Sequence, residues 1–122
     1  MNTTKMKPWD HFNRLNGILM FYPTTGVDKI IFACPDEFGS TPDEMRSKTQ
    51  AQPHCEARMF AMFILEERKK LLRLSLKSIG ALFGGRDHST VINAKRTIAG
   101  YLKHEPFAKD RLQRIKLIAQ AY

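Results

Sequence analysis

The sequence predicts an all-α fold, a small helical bundle, and three observations carry that prediction. Apolar residues recur at three- and four-residue spacing along most of the chain. Gly and Pro mostly fall between those runs rather than inside them. No stretch sustains a period of two, and the one candidate strand, Lys29–Cys34, fits a helix equally well. With 122 residues, 43% hydrophobic and 26% charged, the chain has the composition of a globular domain and room for one compact unit. The expected division is an N-terminal helical extension over residues 1–26 and a single domain over 27–122.

The elements follow in order. Trp9, Phe12, Leu15 and Leu19 share a face, so a first helix is expected at about 9–21, ending before Pro23. A second, about 27–38, gathers Ile30, Ile31, Cys34 and Phe38, and Pro35 inside it predicts a kink or an early end. Gly39 reads as a helix stop, and Pro42 suits the first position of a short turn. Residues 47–53 are polar and read as loop. The central element is expected at 54–72. There Met59, Phe60, Met62, Phe63, Ile64 and Leu65 are apolar over most of the girth, and residues 66–70 return the chain to water. Ser75 suits an N-cap, with Leu74 and Ile79 placed as a hydrophobic staple for a short helix ending at Phe83. Gly84 and Gly85 can supply a left-handed corner. Asp87 is then a natural N-cap for a helix over about 88–103, burying Val91, Ala94, Ile98 and Leu102. A last helix, about 105–121, buries Ala108, Leu112, Ile115 and Ala119 and turns Lys109, Arg111, Arg114 and Lys116 to solvent.

The net charge of +8 lies entirely in residues 55–122, because the first 54 residues balance. Such asymmetry points to a polyanion, although solubility alone would explain it equally well. Cys34 and Cys55 are far apart, without CxxC spacing, and are expected as free thiols in a reducing compartment. The longest N-terminal apolar run, residues 18–22, is too short for a membrane span or a signal core. Among His11, Cys34, His54, Cys55 and His104 only His54 and Cys55 are close, and neighbouring side chains diverge on a helix; a Cys-His nucleophilic pair also lacks a third orienting group. The expectation is no enzyme, no metal, no cofactor and no small-molecule substrate.

Residues 75–103 have the form of helix, tight glycine turn and helix. A helix-turn-helix needs this form, with one helix bracing a phosphate backbone and a second placing its first residues in a major groove. The second helix starts with suitable chemistry. Arg86 can grip guanine O6 and N7, His88 and Ser89 are short polar readers, and Asp87 can accept from a cytosine amino group. Thr90 and the first-turn amides suit a phosphate oxygen, and Ser89, Asn93 and Arg96 share the outer face.

The run SLKSIGALFGGRDHSTVINA over residues 75–94 resembles the signature of the C-terminal DNA-binding domain of the bacterial replication initiator DnaA. FGSTPDEMRSK at 38–48 and EARM at 56–59 extend the likeness, which covers about residues 27–120. The resemblance implies an all-α bundle similar to the tryptophan repressor that recognises a short duplex box. It implies base contacts from Arg86, Asp87, His88 and Ser89, and phosphate held by Thr90. Leu76 and Lys77 would rest on the backbone at the start of the bracing helix, and Arg58 would be a further backbone contact.

Three features depart from the family pattern. Its arginine-rich loop sends an arginine into the minor groove, whereas this chain has Thr49, Gln50, Ala51 and Gln52 and keeps only Lys48 as a basic group there. The stretch between Arg58 and Ser75 is about three residues longer than the family's, and Pro35 is foreign to its first helix. The family's ATPase module needs a loop of the form GxxxxGK[ST], and no such run occurs here. The expected function is therefore sequence-specific binding of double-stranded DNA, in an accessory role in replication or transcription control, at the cytoplasmic nucleoid. The alternative is a protein-interaction module that keeps the fold with weak DNA affinity, or self-association through the aromatic segment containing Trp9, Phe12, Phe21 and Tyr22.

Overall fold

The computed structural model describes residues 26–121, with side chains through Gln120. The helix expected at 9–21 lies outside the described residues. Seven helices run in order: α1 (Gly26–Phe38), α2 (Pro42–Met45), α3 (His54–Glu67), α4 (Lys69–Leu72), α5 (Leu76–Leu82), α6 (His88–His104) and α7 (Pro106–Ala121). No strand occurs among the described residues, so Lys29–Cys34 resolves as helix.

The core forms where α3 is wrapped by α1 and α6, with α7 lying across α1. Ile30, Ile31, Cys34 and Phe38 of α1 meet Phe60, Ala61, Ile64 and Leu65 of α3, and Val91, Ala94 and Ile98 of α6 close the far side. Phe38 and Phe60 stack at a tilt, with ring centroids 5.2 Å apart, a geometry that favours ring quadrupoles. As the pattern predicts, α3 is apolar nearly all round because it is covered on most sides.

One boundary differs from expectation. α1 runs to Phe38 as expected, without the early end that Pro35 could bring, and the proline ring is buried. Its missing N–H leaves only one interior hydrogen bond unmade, close to the end of the helix. The central helix breaks at Arg68, after which α4 adds one more turn and Arg73 adopts φ 58°. Nor do residues 66–70 simply return to water. Glu66 is buried, and its carboxylate accepts from Lys69 Nζ at 2.7 Å and from Lys95 Nζ of α6 at 3.2 Å.

The outer face of α7 is also committed. Arg114 grips the Glu37 carboxylate on α1 at 2.9 Å, Lys116 reaches Glu67 at 3.3 Å, and Arg111 lies 4.7 Å from the Phe38 ring centroid. Three of the four cations expected to be merely solvated thus join α7 to α1 and α3.

The corner between α5 and α6 rests on Gly80. Its carbonyl accepts from Phe83 N at 3.1 Å and from Arg86 N at 2.9 Å, which folds the turn back onto α5. A Cβ at this position would collide with the Arg86 carbonyl oxygen. Gly84, at φ +80°, supplies the reversal.

Gly80→Ala should therefore destabilise the fold by about 1–3 kcal/mol, read as a lower urea midpoint. A variant as stable as wild type would show that the contact is slack. A second prediction concerns acid. Hydrogen bonding by Lys69, opposed by burial and aided by Lys95, holds the Glu66 carboxyl below its ordinary 4.5. A depressed carboxyl stabilises the fold fully above that pH and loses its contribution as pH falls through the folded value. Glu66→Gln should cost roughly 1 kcal/mol at neutral pH, and the gap to wild type should close in acid melts toward pH 3. A gap that stays constant across that range would contradict this.

Candidate nucleic-acid interface

The bracing helix α5 is secured at its start by a reciprocal capping box. Ser75 Oγ accepts from Ser78 N at 3.1 Å, and Ser78 Oγ accepts from Ser75 N at 2.8 Å. This leaves Leu76 half-buried and Lys77 exposed beside it. At the other end Phe83 is fully buried, and Arg46 Nε donates to the Leu82 carbonyl at 2.7 Å.

From the Gly80 corner, α6 emerges with Asp87 at its N-cap position, φ −69° and ψ 155°. The expected cap is made only by the backbone, where the Asp87 carbonyl accepts from Thr90 N at 3.0 Å. The carboxylate forms no hydrogen bond to a helix amide that would cap it. It accepts instead from Ser89 Oγ at 3.0 Å and pairs with His88 Nδ1 at 2.9 Å. The Ser89 hydroxyl first, and His88 after it, hold the Asp87 carboxyl below its ordinary value. When Nδ1 carries the proton toward Asp87, Nε2 is the ring nitrogen left for an outside partner. Asp87, His88 and Ser89 are all exposed and Thr90 is half-buried. Asn93 and Arg96 are exposed farther along α6. The side chains expected to meet DNA thus lie at the amino-terminal end of α6 or along its outer face, backed by buried Val91, Ala94 and Ile98.

Two expected contacts lie elsewhere. Arg58, on α3, is buried at 3% exposure. Its Nε donates to the Met45 carbonyl at 2.9 Å, and its Nη2 donates to the carbonyls of Ser47 at 3.1 Å and Thr49 at 2.7 Å. Burial, and then the neighbouring Arg86 charge, pull this guanidinium below its ordinary value. The side chain is thus engaged with three carbonyls of the segment between α2 and α3. Arg86, expected to read guanine, is half-buried; its Nη2 donates to the Ser47 carbonyl at 3.0 Å, and its Nε is enclosed without a hydrogen-bond partner. It faces the loop rather than the row of readers.

The loop between α2 and α3 is consequently held from inside while its outer side chains, Lys48, Gln50, Ala51 and Gln52, stay exposed. Between α3 and α6, with Gln50 of the loop at its edge, runs a groove of about 220 Å³, lined by Cys55, Arg58 and Met59 of α3, by Arg86, and by Thr90 and Asn93 of α6. Sequence reading missed this groove, because no local pattern records which carbonyls a distant arginine will meet.

Cys34 is buried, its thiol donating to the Ala57 carbonyl at 3.1 Å, and burial pushes its pKa well up; Cys55 is half-buried, and neither is in a disulfide. Among the described residues, no group of three or more His, Cys, Asp or Glu side chains could hold a metal ion. No helix among them is long and apolar enough to cross a membrane.

The bacterial dnaA protein helix-turn-helix family matches residues 27–105, from the start of α1 to the end of α6. Among individual proteins, the chain is 35% identical over 86 residues to the chromosomal replication initiator protein DnaA of Corynebacterium jeikeium, covering 70% of this chain and 14% of that protein. It is 41% identical over 71 residues to the DnaA of Cutibacterium acnes, covering 58% of this chain and 14% of that one. With the DnaA of Methylacidiphilum infernorum the identity is 40% over 77 residues, 63% of this chain and 16% of the other. The chain thus spans about a seventh of the length of these relatives. With α1 to α6, the Gly80 corner and the exposed start of α6 inside the matched region, this chain belongs to the bacterial DnaA helix-turn-helix family.

Proposed function

We propose that the chain binds double-stranded DNA with sequence preference through the amino-terminal end of α6, in an accessory role in replication or transcription control. The observation that carries this reading is the exposed row of Asp87, His88 and Ser89 at the start of a 17-residue helix, with Asn93 and Arg96 following on the outer face. A major groove admits such a helix, and short polar side chains at its start reach base edges there. Thr90 and the first-turn amides would hold a phosphate oxygen, with Lys77 and Leu76 of α5, Lys48 of the loop and Arg96 resting along the backbone. Arg58 and Arg86 support this surface from behind. The relatives are named as chromosomal replication initiators, which supports a target on the chromosome. Since residues 1–122 contain no phosphate-binding loop, ATP-driven assembly is no part of the role proposed for them.

Titration of labelled duplexes at several salt concentrations tests the proposal. If Lys48, Lys77 and Arg96 each neutralise one phosphate, the logarithm of affinity should fall against that of salt with a slope of about −2.7. His88→Ala should cost about 1–3 kcal/mol on the preferred duplex, recovered by selection from random sequences. Binding to no duplex at any salt would favour an interaction module that has kept only the fold. Unchanged binding by His88→Ala would move the reading surface elsewhere.

A further inference from the structure

We propose that Arg58 is a positioning residue for base selection: from inside the fold it locks the loop after α2 against α6 through the Ser47 carbonyl, which it shares with Arg86. The proposal rests on the DNA-binding reading above and says how that surface acquires selectivity.

The geometry is unusual for two arginines. Arg58 Nη2 and Arg86 Nη2 both donate to the Ser47 carbonyl, at 3.1 and 3.0 Å, and Arg58 also holds Met45 and Thr49. These acceptors, the carbonyls of Met45, Ser47 and Thr49, are neutral backbone oxygens. Burying a guanidinium without a carboxylate is expensive, and a second cation close by makes it more so. Loop closure alone could be achieved by a neutral donor at lower cost. A planar, forked donor offers direction: it fixes several carbonyls at set angles, which a flexible amine cannot do.

What the fork fixes is the spacing of two recognition elements. Ser47 and Thr49 bracket exposed Lys48, and Gln50 follows on the lip of the groove whose other wall carries Thr90 and Asn93. Arg86 immediately precedes Asp87 and His88, so the Ser47 carbonyl links the loop directly to the start of the reading row. Holding both elements at one separation means a duplex must match them together, without reordering either on binding. Preorganisation of this kind raises discrimination by sparing the correct complex the cost of ordering the loop. A loop released from Arg58 keeps its exposed lysine and its phosphate attraction but loses its register with α6.

The experiment compares wild type with Arg58→Lys and Arg58→Gln. The probes are the duplex selected by wild type from random sequences and a scrambled duplex of equal length and composition, titrated across salt. Both variants should lose about tenfold or more of the preference for the selected duplex. Binding to the scrambled duplex and the salt slope should stay at wild-type values. A uniform loss on both duplexes, with a slope shallower by about 0.9, would make Arg58 a phosphate contact and overturn the proposal. An unchanged preference ratio would overturn it equally. Should both variants melt below the assay temperature, Arg86→Lys, which removes the other fork on Ser47 and keeps the charge, must show the same loss of ratio or the proposal falls. Failure of wild type to bind any duplex would instead sink the DNA-binding reading on which this one stands.

Discussion

The backbone contact at Gly80 is the constraint on which the rest of the molecule's geometry depends. Its carbonyl takes two amide protons, from Phe83 and Arg86, within a turn where the Arg86 carbonyl oxygen occupies the space of an absent Cβ. Because that approach is backbone to backbone, no rotamer change can relieve a side chain placed there. The angle between α5 and α6 is thereby fixed. So is the direction in which Asp87, His88 and Ser89 leave the bundle, and so is the reach of Arg86 back to Ser47. Buried Ile79 and Phe83 on one side of the corner and Val91 on the other then stabilise what the corner defines.

The basic excess divides into two populations with different physical roles. Arg46, Arg58 and Arg86 donate to backbone carbonyls, while Lys69, Lys95, Arg114 and Lys116 pair with Glu66, Glu37 and Glu67. These groups hold the loop, the end of α3 and the α7 strap in place. Exposed Lys48, Lys77 and Arg96 flank the α5–α6 corner and the groove beside it. Several of the chain's twenty Lys and Arg side chains are therefore already engaged within the protein. Salt sensitivity counts only charges that displace counterions, so these two populations should differ sharply in how they respond to ionic strength.

What could be read in the sequence follows from the range of the interactions involved. The helices, the Ser75 cap and the double-glycine corner were all legible, because periodicity and capping are local properties and the corner needs positive φ at Gly84 and Gly85. The outward row on α6 was legible for the same reason: burial of Val91, Ala94 and Ile98 dictates which residues face away. The internal bonds of Arg58 and Arg86 were not legible, because their partners lie 9 to 39 residues away and are carbonyls, which carry no residue identity. The break at Arg68 was hidden by good helix formers on either side, whereas α1 keeps its expected end at Phe38 despite Pro35.

An acidic side chain at the leading position of the proposed DNA-reading surface needs a physical account, since phosphate repels it. In the free protein the Asp87 charge is shared with His88 and Ser89, whose hydrogen bonds keep it ionised and its oxygens oriented. A carboxylate so held can only accept. Toward a major-groove edge it tolerates the amino groups of cytosine or adenine and is repelled by the acceptors of guanine and thymine. On the proposed reading, Asp87 would act more by exclusion than by attraction, penalising wrong bases through unpaired acceptor contacts. That role suits the present arrangement, in which neighbouring Arg58 and Arg86 are turned to the protein's own carbonyls. Discrimination would then depend on how firmly the carboxylate is aimed, and its aim is set by the corner at Gly80 and by the loop arginines behind it.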